Sequence, residues 1–198
     1  MPLLPPKRPE ILDRLLRSYW ADPLFFALLT AISAQATYRV FEIPFTLQTL
    51  VVYSAGLWIG AKKGSLSQLI YLLAGMLLPV FAAGGIGLQY LYDQPSGGFL
   101  AAFPLVAWTI GAINKRHRSW LRAWLAVQAG SLVLFAIGLT RLYYYAGDWT
   151  VLQVLEAGWF GYLPVDQLKI LLASSIYVSF PRIRKNFEIS SAEKVDTI

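Results

Sequence analysis

Residues Glu42 to Phe99 read EIPFTLQTLVVYSAGLWIGAKKGSLSQLIYLLAGMLLPVFAAGGIGLQYLYDQPSGGF, and this stretch decides the fold of the 198-residue chain. Two apolar helix candidates come first, and a glycine-rich segment from Phe81 to Phe99 without any positive charge follows them. Glycine lets a backbone turn through positive φ or approach a ligand closely. Long connections between membrane spans are seldom so apolar without something to cover. We therefore predict a loop here that closes over a ligand.

The composition indicates a membrane protein. The chain is 57% hydrophobic and 14% charged, and its mean hydropathy is +0.52, which is too apolar for an ordinary soluble domain. Low-charge segments recur at about 24–37, 46–61, 66–81, 99–113, 120–139 and 168–180. Several are short for a hydrocarbon core of ~30 Å, so flanking residues must extend them. We predict an all-α integral membrane protein with six transmembrane helices.

The basic residues alternate between the two sets of connections. One set, with both terminal segments, contains Lys7, Arg8, Arg14, Arg17, Lys62, Lys63, Lys115, Arg116, Arg118, Arg122, Arg182, Arg184, Lys185 and Lys194. The opposite set contains only Arg39 and Arg141. The chain is predicted to lie in the plasma membrane, and the positive-inside rule then places both of its termini in the cytoplasm. The net charge of +6 is explained by topology, and no nucleic-acid partner is expected.

Three regions follow from these patterns. Residues 1–22 are predicted to be a cytoplasmic amphipathic segment, 23–182 the six-helix membrane domain, and 183–198 a polar cytoplasmic tail. We see no cleavable signal peptide, because the first ten residues hold four prolines. The chain has no cysteine, so disulfides and thiolate metal sites are excluded.

Small residues four apart mark close helix contacts. Gly56, Gly60 and Gly64 form one such series, and Ala27 with Ala31 forms another. In lipid, small side chains let helices approach closely, since packing replaces the hydrophobic effect as the driving force. Packing inside the bundle is the favoured interpretation of the glycine series.

Asp166 and Lys169 are the ionisable pair that stands out at the edge of a predicted span. Three residues apart, they share one face of a helix, and a charge inside hydrocarbon is costly unless it is paired or hydrated. Lys169 could bind a ligand carboxylate while Asp166 orients it. Alternatively, Asp166 caps the helix and Lys169 extends towards the headgroups.

Enzymatic signals are weak. The histidine His117 lies in a basic connection, and the chain lacks a His-Glu-x-x-His helix, a phosphate-binding Gly-x-x-x-x-Gly-Lys-Ser/Thr loop and a nucleophile elbow. We expect neither an enzyme nor a bound metal or cofactor.

Several motifs occur together in an order typical of one family. They are Pro44-Phe45-Thr46-Leu47-Gln48-Thr49-Leu50, Gly64-Ser65-Leu66, Tyr71-Leu72-Leu73-Ala74-Gly75, Leu78-Pro79-Val80-Phe81, Pro95-Ser96-Gly97-Gly98-Phe99 and Asp166-Gln167-Leu168-Lys169. From about residue 22 to 182 the chain resembles the BioY family, the biotin-specific substrate-binding (S) components of energy-coupling-factor transporters.

The resemblance implies biotin capture, and it favours a ligand role for Lys169 and Asp166 at the carboxylate. Biotin also has an apolar ring system and a ureido group, which needs amides or backbone groups nearby. Candidates are Gln48, Gly84, Gly85 and Tyr90, although Gln48 could instead bond a neighbouring helix. Further aromatic candidates, any of which could be an interfacial anchor, are Tyr92, Trp149, Trp159, Phe160 and Tyr162. The chain departs from many relatives by carrying Ala82-Ala83 after Pro-Val-Phe, so some ureido hydrogen bonds must come from elsewhere.

The resemblance also implies partners. S components assemble with one membrane-embedded coupling subunit and two ATP-binding subunits, and the face bearing Ala27 and Ala31 would dock on the coupling subunit. Plain helix packing is the alternative for these alanines, and a homo-oligomer is the alternative to the complex. Two other functions stay open: an S component for another small vitamin, and an accessory structural membrane subunit.

Overall fold

A computed structural model of the chain describes residues 19–38, 45–115, 117 and 119–180. The predicted N-terminal amphipathic segment and C-terminal tail lie largely outside these residues, as do Arg39, Arg116 and Arg118. The fold is helical, with one small antiparallel strand pair in which Thr37 lies opposite Thr46. The elements are α1 (Ala21–Gln35), β1 (Thr37–Tyr38), β2 (Phe45–Thr46), α2 (Gln48–Leu77), a 3-10 turn (Ala82–Gly84), α3 (Gly87–Asp93), α4 (Gly97–Asn114), α5 (Trp120–Ala146), α6 (Val151–Leu155), a π-helical turn (Glu156–Phe160) and α7 (Leu163–Ser179).

Helix α2 folds back on itself at Gly60, whose φ of 78° and ψ of −178° are not helical. A Cβ added at Gly64 would lie 3.2 Å from the Ala55 carbonyl oxygen, whereas nine residues of straight helix span about 13 Å. Residues 48–59 and 61–77 are therefore two antiparallel helices. The turn requires glycine because positive φ is costly for other residues.

Gly56 and Gly64 pack inside the bundle, whereas Gly60, the middle member of the predicted series, forms the turn instead. A Cβ at Gly56 would lie 2.7 Å from the Ala107 carbonyl oxygen on α4. Gly111 of α4 sits against the α2 turn, where its Cβ would lie 2.1 Å from the Ala61 nitrogen. Helix α4 thus lies at the centre, between α2 and α5, while α7 packs on α2 and α5, and α1 packs on α2.

The outer surfaces are apolar. Large hydrophobic side chains such as Leu28, Ile32, Leu73 and Leu132 are exposed, which is the surface expected for contact with lipid. Within the described residues, segments 48–84, Gly97–Asn114 and Trp120–Ala146 are long and apolar enough to cross a membrane, and segment 48–84 contains the turn at Gly60. Helix α1 is apolar but shorter.

Two ends of the bundle can be told apart. Asp22 in the first turn of α1 meets Lys63 just after the α2 turn, with 2.6 Å between carboxylate oxygen and Nζ. Trp120 at the start of α5 donates to Ser175 near the end of α7. We call this the basic end. The sequence pattern assigns Lys63 to the charges that set topology, but the structure buries it in an ion pair.

The prediction that Phe81 to Phe99 form a loop is wrong in its secondary structure, because this segment is partly helical. It contains the 3-10 turn and α3, and α4 already begins at Gly97. The pattern of apolar residues in Gly87–Asp93 is too short to predict a helix by periodicity alone. Helix α7 likewise begins at Leu163, before the apolar run at 168–180, with Pro164 in its first turn where the missing N–H costs no helical bond.

Candidate substrate-binding site

A partly open cavity with an empty volume of about 650 Å³ lies at the end of the bundle away from the Asp22–Lys63 pair. Its walls come from α2, α4, α5 and α7 and from the connections around them. They are mostly apolar and aromatic, with a few polar side chains, which is typical of small-molecule sites. The lining residues include Thr46, Gln48, Thr49, Ala82, Ser96, Phe99, Phe103, Phe135, Tyr162, Asp166 and Lys169.

Lys169 brings the positive charge to this cavity. Its Nζ donates to the Thr46 carbonyl oxygen at 2.8 Å and to the Thr49 hydroxyl at 2.9 Å. A lysine ammonium has three N–H donors, so one remains for a ligand. The side chain thus borders the cavity and ties α7 to the start of α2.

Asp166 is 5% exposed and is held from two other helices. Its carboxylate accepts hydrogen bonds from the Tyr53 hydroxyl at 2.7 Å and from the Ser131 hydroxyl. It makes no side-chain cap on α7, so the capping interpretation is not what the structure shows. In the described part of the chain Asp166 and Lys169 form no direct ion pair.

Gln48 lines the cavity, but its amide is already hydrogen-bonded. Its Nε2 donates to the Tyr71 hydroxyl at 2.6 Å, and its Oε1 accepts from the Thr46 hydroxyl at 2.9 Å. The Tyr71 hydroxyl in turn donates to the Val80 carbonyl oxygen at 3.3 Å. Gln48 therefore holds the segment after α2 in place, which agrees with the alternative that it bonds a neighbouring helix.

Gly84, Gly85 and Tyr90 do not line the cavity. The Tyr90 ring stacks on Phe81 at 5.3 Å between centroids, and its hydroxyl donates to the Ala82 carbonyl oxygen at 3.1 Å. A Cβ at Gly85 would lie 2.1 Å from the Tyr90 ring. The close approach expected of these glycines is thus made to Tyr90, while Gly84, at φ +74°, serves a turn.

Among the other aromatic candidates, Tyr162 lines the cavity, whereas Tyr92, Trp149, Trp159 and Phe160 do not. The sequence reasoning missed the aromatic wall of Phe99, Phe103 and Phe135, and it missed Ser96. Ser96 and Phe99 lie in the quoted Pro95-Ser96-Gly97-Gly98-Phe99 motif, so the signal was present. No group of three His, Asp or Glu side chains suited to a metal occurs in the described ranges.

The two alanines of α1 occupy different environments. Ala27 is 6% exposed and belongs to the core, and Ala31 is partly exposed beside it. The outward face of α1 is formed by Leu24, Leu28 and Ile32. Packing therefore accounts for Ala27, and Ala31 is the alanine that a partner could reach.

Comparisons with known proteins agree with this architecture. The probable biotin transporter BioY of Lysinibacillus sphaericus is 36% identical over 127 residues, which cover 63% of this chain and 64% of that protein. The biotin transporter BioY of Thermotoga maritima is 30% identical over 161 residues, 80% of this chain and 92% of that protein. A crystal structure at 2.1 Å of the S-component for biotin from an ECF-type ABC transporter has the same fold, with a TM-score of 0.75 at 20% identity over 89% of this chain and 95% of that one. The sequence profile of the BioY family matches residues 17–186, and this protein therefore belongs to that family.

Proposed function

We propose that this chain captures biotin and takes it up across the cell membrane as the substrate-binding component of a vitamin transporter. Family membership makes it a transport protein and not an enzyme, and curated relatives are named biotin transporters. The observation that carries the proposal is Lys169, whose ammonium borders the cavity with one N–H unused. The vitamin's carboxylate would bind there, and Asp166 would orient it.

The cavity suits biotin in its lining, because a mostly apolar wall with a few polar side chains is typical of small-molecule pockets. The aromatic wall of Phe99, Phe103 and Phe135 would bury the fused rings. Ala82 and Ser96 place the segment between α2 and α4 on the cavity wall, and we propose that this segment is the lid over the ligand.

The arrangement of the two ends supports six spans with both termini cytoplasmic. The spans would be α1, the two arms of α2, α4, α5 and α7. The Asp22–Lys63 pair joins the start of α1 to the α2 turn, and Trp120 meets Ser175 near the end of α7. The start of the first span and the end of the last span thus lie at the same end of the bundle as the basic connections. The positive-inside rule places these connections in the cytoplasm. The cavity then opens on the outer side.

Energy for transport would come from partner subunits, one membrane-embedded coupling protein and two ATP-binding proteins. Helix α1 packs on α2 and has an exposed face of Leu24, Leu28 and Ile32 with Ala31 at its edge. We propose this face as the docking surface. Replacing Ala31 with Trp should then prevent co-purification of a coupling subunit while leaving biotin binding intact, and a homo-oligomer that survives the change would favour the alternative assembly.

Calorimetry on the protein purified in detergent tests the function. Biotin should bind with a submicromolar dissociation constant, and riboflavin and thiamine should show no heat of binding. Tighter binding of another vitamin would identify a different S component. A protein that binds none of the panel, and from which mass spectrometry recovers no small molecule, would be an accessory subunit.

A further inference from the structure

Ser96 carries a hydroxyl that the protein itself does not use. It precedes α4, is 7% exposed, and lines the cavity. It occupies the N-cap position, yet its side chain makes no capping hydrogen bond, and no described residue bonds its hydroxyl. Serine at this position normally turns back to bond the helix N–H groups. The hydroxyl is open to the cavity, so a ligand that displaces water there must accept its hydrogen bond.

The first turn of α4 adds backbone donors at the same place. The Gly97 N–H donates to the Gln94 carbonyl oxygen at 3.0 Å, and the Leu100 N–H donates to the Ser96 carbonyl oxygen at 3.2 Å. The N–H groups of Gly98 and Phe99 have no acceptor among the described residues. The helix is 18 residues long, so its first turn also carries the partial positive charge of the helix dipole.

These donors belong to α4, whereas the ammonium of Lys169 belongs to α7. A ligand that gives its carboxylate to Lys169 still needs a hydrogen-bond donor for its other polar end. Ala82, which borders the cavity nearby in the chain, has no polar side chain to supply one. Biotin's other strong acceptor is the neutral ureido carbonyl oxygen.

We propose that the Ser96 hydroxyl, together with the unused N–H groups at the start of α4, forms a subsite that binds the ureido carbonyl oxygen. This assignment rests on the proposed biotin-binding function. It makes Ser96 a specificity-determining residue and supplies the hydrogen bonds that Ala82-Ala83 lack.

The test is calorimetric titration of wild type and the Ser96→Ala variant with three ligands: biotin, biotinamide, which lacks the charged carboxylate, and 2-thiobiotin, whose thiocarbonyl is a weak acceptor. Ser96→Ala should weaken binding of biotin and biotinamide by about three- to tenfold, the range for a neutral hydrogen bond. The loss on 2-thiobiotin should be under about twofold. Ser96→Thr, which keeps the hydroxyl, should bind biotin within about threefold of wild type.

Ser174→Ala is the matched control. Ser174 is a fully buried serine whose hydroxyl also lacks a partner, but it does not line the cavity, so its removal should leave the dissociation constants unchanged. Should Ser96→Ala fail to fold, wild type must still discriminate against 2-thiobiotin by at least threefold. An equal affinity for both ligands would overturn the proposal.

Two further results would overturn it. If Ser96→Ala binds biotin as wild type does, the hydroxyl makes no ligand contact. If its loss disappears on biotinamide and persists on 2-thiobiotin, Ser96 contacts the carboxylate and the ligand lies reversed. In each case wild type still binds biotin, so the proposed function stands; only an absence of biotin binding to wild type would remove it.

Discussion

Replacing Lys169 with Ala should weaken biotin binding by about ten- to a hundredfold. The ammonium has three N–H donors, and two are held by the Thr46 carbonyl and the Thr49 hydroxyl at 2.8 and 2.9 Å. One donor remains for the ligand carboxylate. A hydrogen bond between charged groups contributes roughly 1.5–3 kcal/mol, and about 1.4 kcal/mol corresponds to a factor of ten in the dissociation constant.

Because the same amine also ties α7 to the start of α2, part of any loss could come from a displaced cavity wall. A cycle with biotinamide separates the two effects. The amide should bind wild type about ten- to a hundredfold more weakly than biotin, whereas Lys169→Ala should bind both ligands within about threefold of each other. Lys62→Ala, at the basic end and exposed, is the control for net charge. Equal discrimination against biotinamide in wild type and Lys169→Ala would show that Lys169 does not bind the carboxylate.

Two predictions concern the helix contacts that support the site. Lys63→Met should lower the free energy of unfolding by about 3–5 kcal/mol, because it leaves the buried Asp22 carboxylate unpaired. Adding Asp22→Leu should recover most of the lost stability, measured by thermal unfolding in detergent. A double variant less stable than Lys63→Met alone would contradict this reasoning. Gly111→Ala should lower the free energy of unfolding by about 1–3 kcal/mol, since its Cβ would lie 2.1 Å from the Ala61 nitrogen. An unchanged midpoint of thermal unfolding would mean that the α2 turn shifts at little cost.

Lys169 could be found from sequence because a charged residue in an apolar segment is rare and costly. Because a charge exposed to hydrocarbon is costly, such a residue is expected to face the bundle interior or a cavity, and Lys169 borders one. The partners of Asp166 could not be found, since Tyr53 and Ser131 lie on helices distant in sequence. Nothing in a single sequence says which hydroxyl reaches a carboxylate across a bundle.

The glycine predictions show where local patterns mislead. Gly85 is predicted from sequence to bring the backbone close to the ligand, whereas in the structure the Tyr90 ring lies against it. Lys63 shows the same limit for charges. A lysine near a span end fits the positive-inside rule, and only the packing of α1 on α2 shows that Asp22 buries it in an ion pair.

The polar groups around the cavity divide into those that the protein satisfies and those that it does not. Tyr53, Ser131 and Gln48 hydrogen-bond to other protein groups, so they can stay in place when a ligand enters. Three sets of unused donors remain: one N–H of Lys169, the Ser96 hydroxyl, and N–H groups in the first turn of α4. A cationic vitamin such as thiamine would add positive charge beside Lys169 and offer its remaining N–H no anionic acceptor, which costs free energy in a buried site. A ligand with one anionic end and one strong neutral acceptor meets each of them, and biotin has both.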